Sequence, residues 1–140
     1  MTFIYARSPL PDFCPRMNEN FRQIKTLLLG TRPSQTHAAF LSIRFDPAHD
    51  TPAVMKHYPS IYDKQPKRQR SFHWQFVVPA AKDLPEVANF LGLVTQSENG
   101  QMVHSPSTAL IGPDGKDQNW HDRNDWKPSE VSQVMLQLFA

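Results

Sequence analysis

Ala38–Phe45, AAFLSIRF, constrains this chain more than any other stretch. Only Ser42 and Arg44 interrupt an otherwise apolar run, and no polar alternation marks a side that faces water. A strand buried on both faces belongs in a mostly parallel sheet with helices covering each side. The flanking segments supply such helices. Upstream, Met17, Phe21, Ile24, Leu27 and Leu28 recur at helical spacing behind Cys14-Pro15, and Gly30 is the expected stop. Downstream, Asp50 or Thr51 can cap a helix that Pro52 opens and that runs through Val54, Met55 and Tyr58.

The alternation continues along the chain. Thr2–Ala6 is short and rich in β-formers, and two prolines keep residues 7–13 irregular. Phe72–Val78 reads as a strand, and Asp83-Leu84-Pro85 starts a third helix through Val87, Ala88, Phe90 and Leu91, ended by Gly92. Met102–Pro106, with His104 in a Ser/Pro loop, leads into a strand over Ser107–Ile111, and Pro113–Lys116 is a tight turn. Asp117–Trp126 specifies a strand poorly, being polar and without a β-branched residue. Pro128-Ser129-Glu130 opens a last helix with Val131, Val134, Met135 and Leu138 on one side. The order β-α-β-α-β-α-β-turn-β-α implies parallel early strands with right-handed crossovers and an antiparallel hairpin at one edge. That is the thioredoxin arrangement: an α/β protein with three α/β/α layers and a mixed central sheet. The 140 residues hold no internal repeat and no linker long enough for a second domain, so residues 1–140 read as a single domain.

The hydrophobic fraction of 39% and charged fraction of 20% suit a soluble globular protein. No run approaches the ~18 apolar residues of a membrane span. No basic segment or apolar leader opens the chain. It runs directly into what reads as a central strand, so the chain is expected to be truncated at its N-terminus. Net charge is only +2, and the one basic cluster, Lys64 to Arg70, has no interleaved aromatic residues for stacking on bases. It reads as a solvated loop, and no nucleic-acid partner is expected.

Cys14 is the only cysteine, which excludes a disulfide within the chain. It stands at an expected helix N-terminus, where the macrodipole and free N–H groups favour a thiolate. That environment suits a reactive or metal-binding sulfur; a buried inert thiol is the alternative. In a thioredoxin arrangement the loop of His104 abuts this helix end. A thiolate and an imidazole together form a donor pair suited to copper. His49, His57, His73 and His121 have no spacing that marks a metal site.

Three segments carry a family resemblance. Phe3-Ile-Tyr-Ala-Arg-Ser8-Pro-Leu-Pro-Asp-Phe-Cys14-Pro15 resembles the strand–loop–helix motif of the Sco/SenC family, in which a Cys-Pro precedes a second Cys-Pro. Ser42-Ile-Arg-Phe-Asp46-Pro47-Ala-His-Asp50-Thr51-Pro52 resembles that family's Asp-Pro…Asp-Thr-Pro segment, and Val103-His104-Ser105 with Ala109–Gly115 resembles its His…Leu-Ile-x-Pro-Asp-Gly run. The resemblance implies a thioredoxin-like copper chaperone that binds one copper ion through two cysteines and a histidine. It implies a role in assembling cytochrome c oxidase, in the bacterial periplasm or at the extracytoplasmic membrane face. The expected partner is the oxidase's copper subunit or another copper or redox protein, with membrane contact only through an anchor missing from this chain. Carried over by position, the metal ligands are Cys14 and His104, and Ser8 stands where the first cysteine belongs. Asp46 is expected to shape its loop rather than bind metal. A serine hydroxyl is a poor Cu(I) donor, so the copper site is expected to be impaired. The competing expectation is a one-cysteine thiol–disulfide oxidoreductase or peroxidase with Cys14 as nucleophile. Arg7 suits peroxide chemistry, but Ala6 occupies the position where a threonine would help it.

Overall fold

The structure, a computed structural model, describes residues 1–4, 14–31, 38–44, 46, 50–57, 72–90, 92, 95–98, 101–104, 107–121, 123 and 125–138, with backbone alone for 2–4, 55–57, 72, 95–98 and 101–104. In chain order the elements are β1 (Thr2–Ile4), α1 (Cys14–Thr31), β2 (Ala38–Arg44), α2 (Pro52–His57), β3 (Phe72–Val77), α3 (Leu84–Phe90), β4 (Thr95–Glu98), β5 (Gln101–His104), β6 (Thr108–Ile111), β7 (Asp117–His121) and α4 (Pro128–Leu138). Among the described residues five strands form one sheet in the order β3-β2-β1-β6-β7, and β4 and β5 form a separate antiparallel pair. β1, β2 and β3 are parallel, with Thr2 opposite Ser42 and Ala38 opposite Phe72. β6 and β7 run antiparallel to their neighbours. This is the thioredoxin-like mixed sheet expected from the alternation.

The interrupted apolar run becomes β2, and its side chains divide between two layers. Phe40 joins the buried cluster under α1 and α4, with Met17, Phe21, Ile24 and Leu28 from α1 and Val131 and Met135 from α4. Leu41 and Ile43 face the other layer, where Leu84, Val87 and Ala88 of α3 cover the sheet with Ala109 and Trp120. The α1 residues recur every three or four positions, so one stripe is dry and the opposite face, with Arg22, Gln23 and Thr26, is wet. Each large apolar side chain so buried contributes roughly 1.5–3 kcal/mol.

Several expectations shift. α1 passes Gly30 and ends at Thr31, whose hydroxyl donates to Leu27 O (2.8 Å). Leu27 itself is 43% exposed and Phe90 67% exposed, so neither joins the core that its spacing suggested. The β4–β5 pair was not foreseen as a hairpin, and it makes His104 the last residue of a strand rather than a loop residue. β7 forms despite its polar sequence, because β6 offers it a partner. Their register skips one place, Leu110 facing Asn119 and Ile111 facing Asp117, which leaves Gln118 as a bulge. Trp126, expected in that strand, lies beyond it in the α1–α4 core and stacks near His121 (centroids 5.4 Å apart). Among the described residues no helix is long and apolar enough to cross a membrane.

Gly92 and Gly115 have positive φ, 58° and 76°. A Cβ on Gly115 would meet open space, whereas one on Gly92 would lie 2.8 Å from the Trp120 ring. Gly115→Ala should therefore cost only the backbone term, about 1–2 kcal/mol. Gly92→Ala should cost clearly more, because overpacking of Trp120 adds to the strain. Urea denaturation of both variants checks the order; equal losses would mean that Trp120 yields freely.

Candidate metal-binding end of the sheet

Of the expected site, Cys14 is described in full. It is the first residue of α1, 1% exposed, and part of the α1–α4 core cluster. His104 is placed by its backbone, opposite Thr95 at the end of β5. Ser8 lies outside the described residues, as does the His104 side chain, and with them the expected facing of Cys14 and His104 beside Ser8. The helix that Pro15 opens is as expected, and the sulfur is covered, which is the environment of the buried-thiol alternative rather than of a presented one.

A chain of buried polar groups sets where Cys14 sits. Trp74 Nε1–H on β3 donates to Ser42 Oγ on β2 (3.0 Å), and the Ser42 hydroxyl donates to Asn18 Oδ1 on α1 (3.2 Å). Ser42 and Asn18 are both fully buried. Asn18 and Cys14 are four residues apart and share a helix face. α1 returns antiparallel to β2, so Cys14 lies about 6 Å from Asn18 toward the carboxyl edge of the parallel strands. Arg44 lies about 7 Å beyond Ser42 in the same direction. Cys14 is thereby placed at the level of Arg44, at the carboxyl ends of β1 and β2, where open α/β sheets bind ligands.

Arg44 ends β2 and is wholly buried, with Nη1 3.3 Å from Asp50 Oδ1; the Asp50 side chain is 1% exposed. Asp50 is thus turned inward, and the helix cap falls to Thr51, whose Oγ accepts the Val54 N–H at a long 3.5 Å. The Asp50 N–H donates to the main-chain Asp46 O (2.8 Å), a bond that any residue at position 46 could accept. Arg44, Asn18, Ser42 and Trp74 were not singled out from the sequence as parts of this end of the sheet. Arg44 carried a usable signal, since a charge inside a buried run demands a counter-charge. Among the described residues no three His, Cys, Asp or Glu side chains cluster as a metal centre would.

The buried ion pair predicts a specific pattern. Asp50→Ala strands the guanidinium and should cost about 3–5 kcal/mol, while the double change Arg44→Met with Asp50→Leu should cost less than Asp50→Ala alone. Denaturant titration of the single and double variants measures this; a double variant as unstable as the sum of its parts would show that the two charges do not act as a pair.

Comparison with known proteins adds an independent line. A sequence model of the SCO1/SenC family matches residues 1–139. A Stutzerimonas stutzeri protein named "Putative copper-binding protein" is 30% identical over 135 residues, covering 91% of this chain. The chain spans 60% of that protein's length. Among solved structures, a SCO1/SenC family lipoprotein from Bacillus anthracis superposes with a TM-score of 0.76 at 18% identity, covering 99% of this chain and 79% of that one. Arabidopsis thaliana ScoI with copper bound superposes with a TM-score of 0.77 at 14% identity, covering 98% and 80%. With a family match that leaves out only the last of 140 residues, the chain belongs to the SCO1/SenC family.

Proposed function

We propose that this chain binds copper as cargo at the carboxyl edge of its parallel strands and takes part in assembling the copper centre of cytochrome c oxidase. Cys14 and His104 are the ligands in this reading, and Ser8 marks a third position that is chemically disabled. The observation that carries it is that the only cysteine is the first residue of α1, at the carboxyl end of the parallel strands, in a SCO1/SenC chain. Copper binding named for the Stutzerimonas stutzeri relative and seen in Arabidopsis thaliana ScoI supports the same chemistry. Cu(I) is soft and prefers thiolate and imidazole, whereas a serine hydroxyl keeps its proton at neutral pH and offers only a hard oxygen. The working partner in this reading is the oxidase's copper subunit, or another copper or redox protein, on the extracytoplasmic side of a bacterial membrane.

Peroxide chemistry is the weaker reading. Peroxide reduction draws on a threonine beside the thiolate, and Ala6 stands at that position.

The test is a Cu(I) competition titration against a chelator for the chain, for Ser8→Cys, and for Ser8→Cys with His104→Ala. Restoring the thiolate should tighten binding by ~100-fold or more, beyond the 10–100-fold typical of losing a supporting residue around a metal. Removing the imidazole should give part of that gain back. Equal affinity for the chain and Ser8→Cys would remove position 8 from the ligand set, and an unchanged affinity on removing His104 would remove that residue.

A further inference from the structure

α1 buries its sulfur at the end where a helix holds least firmly, since the first N–H groups have no partner within the helix and terminal turns fray. Burial along that first turn is uneven. Cys14 is 1% exposed, but Pro15 is only half-buried and Arg16 is exposed. Residues 14–16 therefore commit one small side chain to the core. Firm anchoring begins directly after them. Met17 is buried in the cluster under α1 and α4, and the fully buried Asn18 accepts the Ser42 hydroxyl through Oδ1 (3.2 Å).

Charge weakens the same turn. α3 carries Glu86 and α4 carries Glu130 in the first turn, where an anion favours the helix, but α1 has no acidic residue there. It has Arg16 instead, a cation at the positive end of the macrodipole. Glu19 is turned the other way. Its carboxylate accepts Arg22 Nε–H and Nη2–H (2.7 and 2.6 Å) and Gln23 Nε2–H (3.0 Å). That fork ties residue 19 to the following turn, so the helix becomes firmer just past the sulfur. Unwinding residues 14–16 breaks the bonds that their carbonyls accept from the N–H groups of Asn18, Glu19 and Asn20. It leaves the buried side chains of Met17 and Asn18 in place.

We propose that the first turn of α1 is a gate. Residues 14–16 unwind together while Met17 and Asn18 stay docked, and this opening, rather than unfolding of the domain, uncovers the Cys14 sulfur. Arg16 sets how often the turn opens, and Asn18 sets where it docks on closing. Openings that expose so little surface lie at the low end of the free energies a domain samples. The gate stands on packing and charge alone. Its use for cargo rests on the copper reading, in which the cation enters and leaves by this opening.

Two probes of the metal-free 140-residue chain test the gate, so the result does not depend on whether copper binds. Alkylation of Cys14 by iodoacetamide, relative to the urea-unfolded chain, measures how often the sulfur is uncovered. Amide hydrogen exchange at Asn18, Glu19 and Asn20 measures how often the turn is open. The two fractions should agree within roughly threefold, as one local opening requires. Neither should change in dilute urea, because little surface is exposed, whereas the Ile24 and Leu28 amides should follow the slope of global unfolding. Arg16→Glu, a surface change, should slow exchange at the three amides roughly 3–30-fold in low salt, counting the removed cation and the added anion. High salt should shrink that difference. Three results would overturn the gate. One is alkylation that follows the global urea slope. Another is alkylation more than about tenfold faster than the amides open, which would mean that another part of the chain uncovers the sulfur. The third is unchanged amide exchange in Arg16→Glu.

Discussion

Ser42 is the point at which three elements are tied together. Its hydroxyl receives Trp74 Nε1–H from β3 and gives its own proton to Asn18 on α1, with no access to water. A hydroxyl in that position is costly unless both bonds are made, so the arrangement tolerates little sliding between the strands or rotation of the helix. The aromatic side chains close around it: Phe21 against Phe40 (4.6 Å between centroids), and Trp74 stacked on Phe76 (5.3 Å). Because Asn18 is held, the turn of α1 before it is held too. The position of Cys14 at the sheet's carboxyl edge is therefore a consequence of core packing as much as of its own neighbours in sequence.

The layers were legible where periodicity and burial coincide. Ala38–Arg44 does lie inside the sheet, with a parallel neighbour on each side, and the α1 and α4 stripes do face it. Legibility failed where tertiary partners overrule local preference. β7 exists because β6 pairs with it, not because Asp117–His121 favours extension. Leu27 and Phe90 satisfy helical spacing yet face solvent, since spacing shows which residues share a face but not how wide the covered stripe is. Asp50 looked like a helix cap because its neighbours, Thr51 and Pro52, are capping residues; only the fold reveals that Arg44 is buried within its reach.

The candidate site divides along the same line. Cys14 could be found from sequence, because a strand, a proline-rich loop and Cys-Pro at a helix start form a local pattern. Of the polar framework beneath it only Arg44 left a trace, as a charge inside a buried run; Asn18, Ser42 and Trp74 come from three elements and acquire meaning only when these pack. A sulfur held this deep also separates two tasks. In the copper reading proposed above, soft donors would decide how tightly the cation is kept and the covering of the sulfur how fast it is exchanged, so affinity and transfer rate would answer to different residues.

The bulged, polar β7 bears on how the molecule behaves among its own copies. It is an outer strand of the sheet, and an outer strand exposes a row of unpaired N–H and C=O groups that invites another chain to add on. Asp117 and Gln118 are exposed along it, and the extra residue at Gln118 breaks the even spacing that an added strand would need. Among the described residues β3 forms the opposite edge of the sheet. The composition that hides β7 from pattern reading also guards that edge against joining a neighbouring sheet.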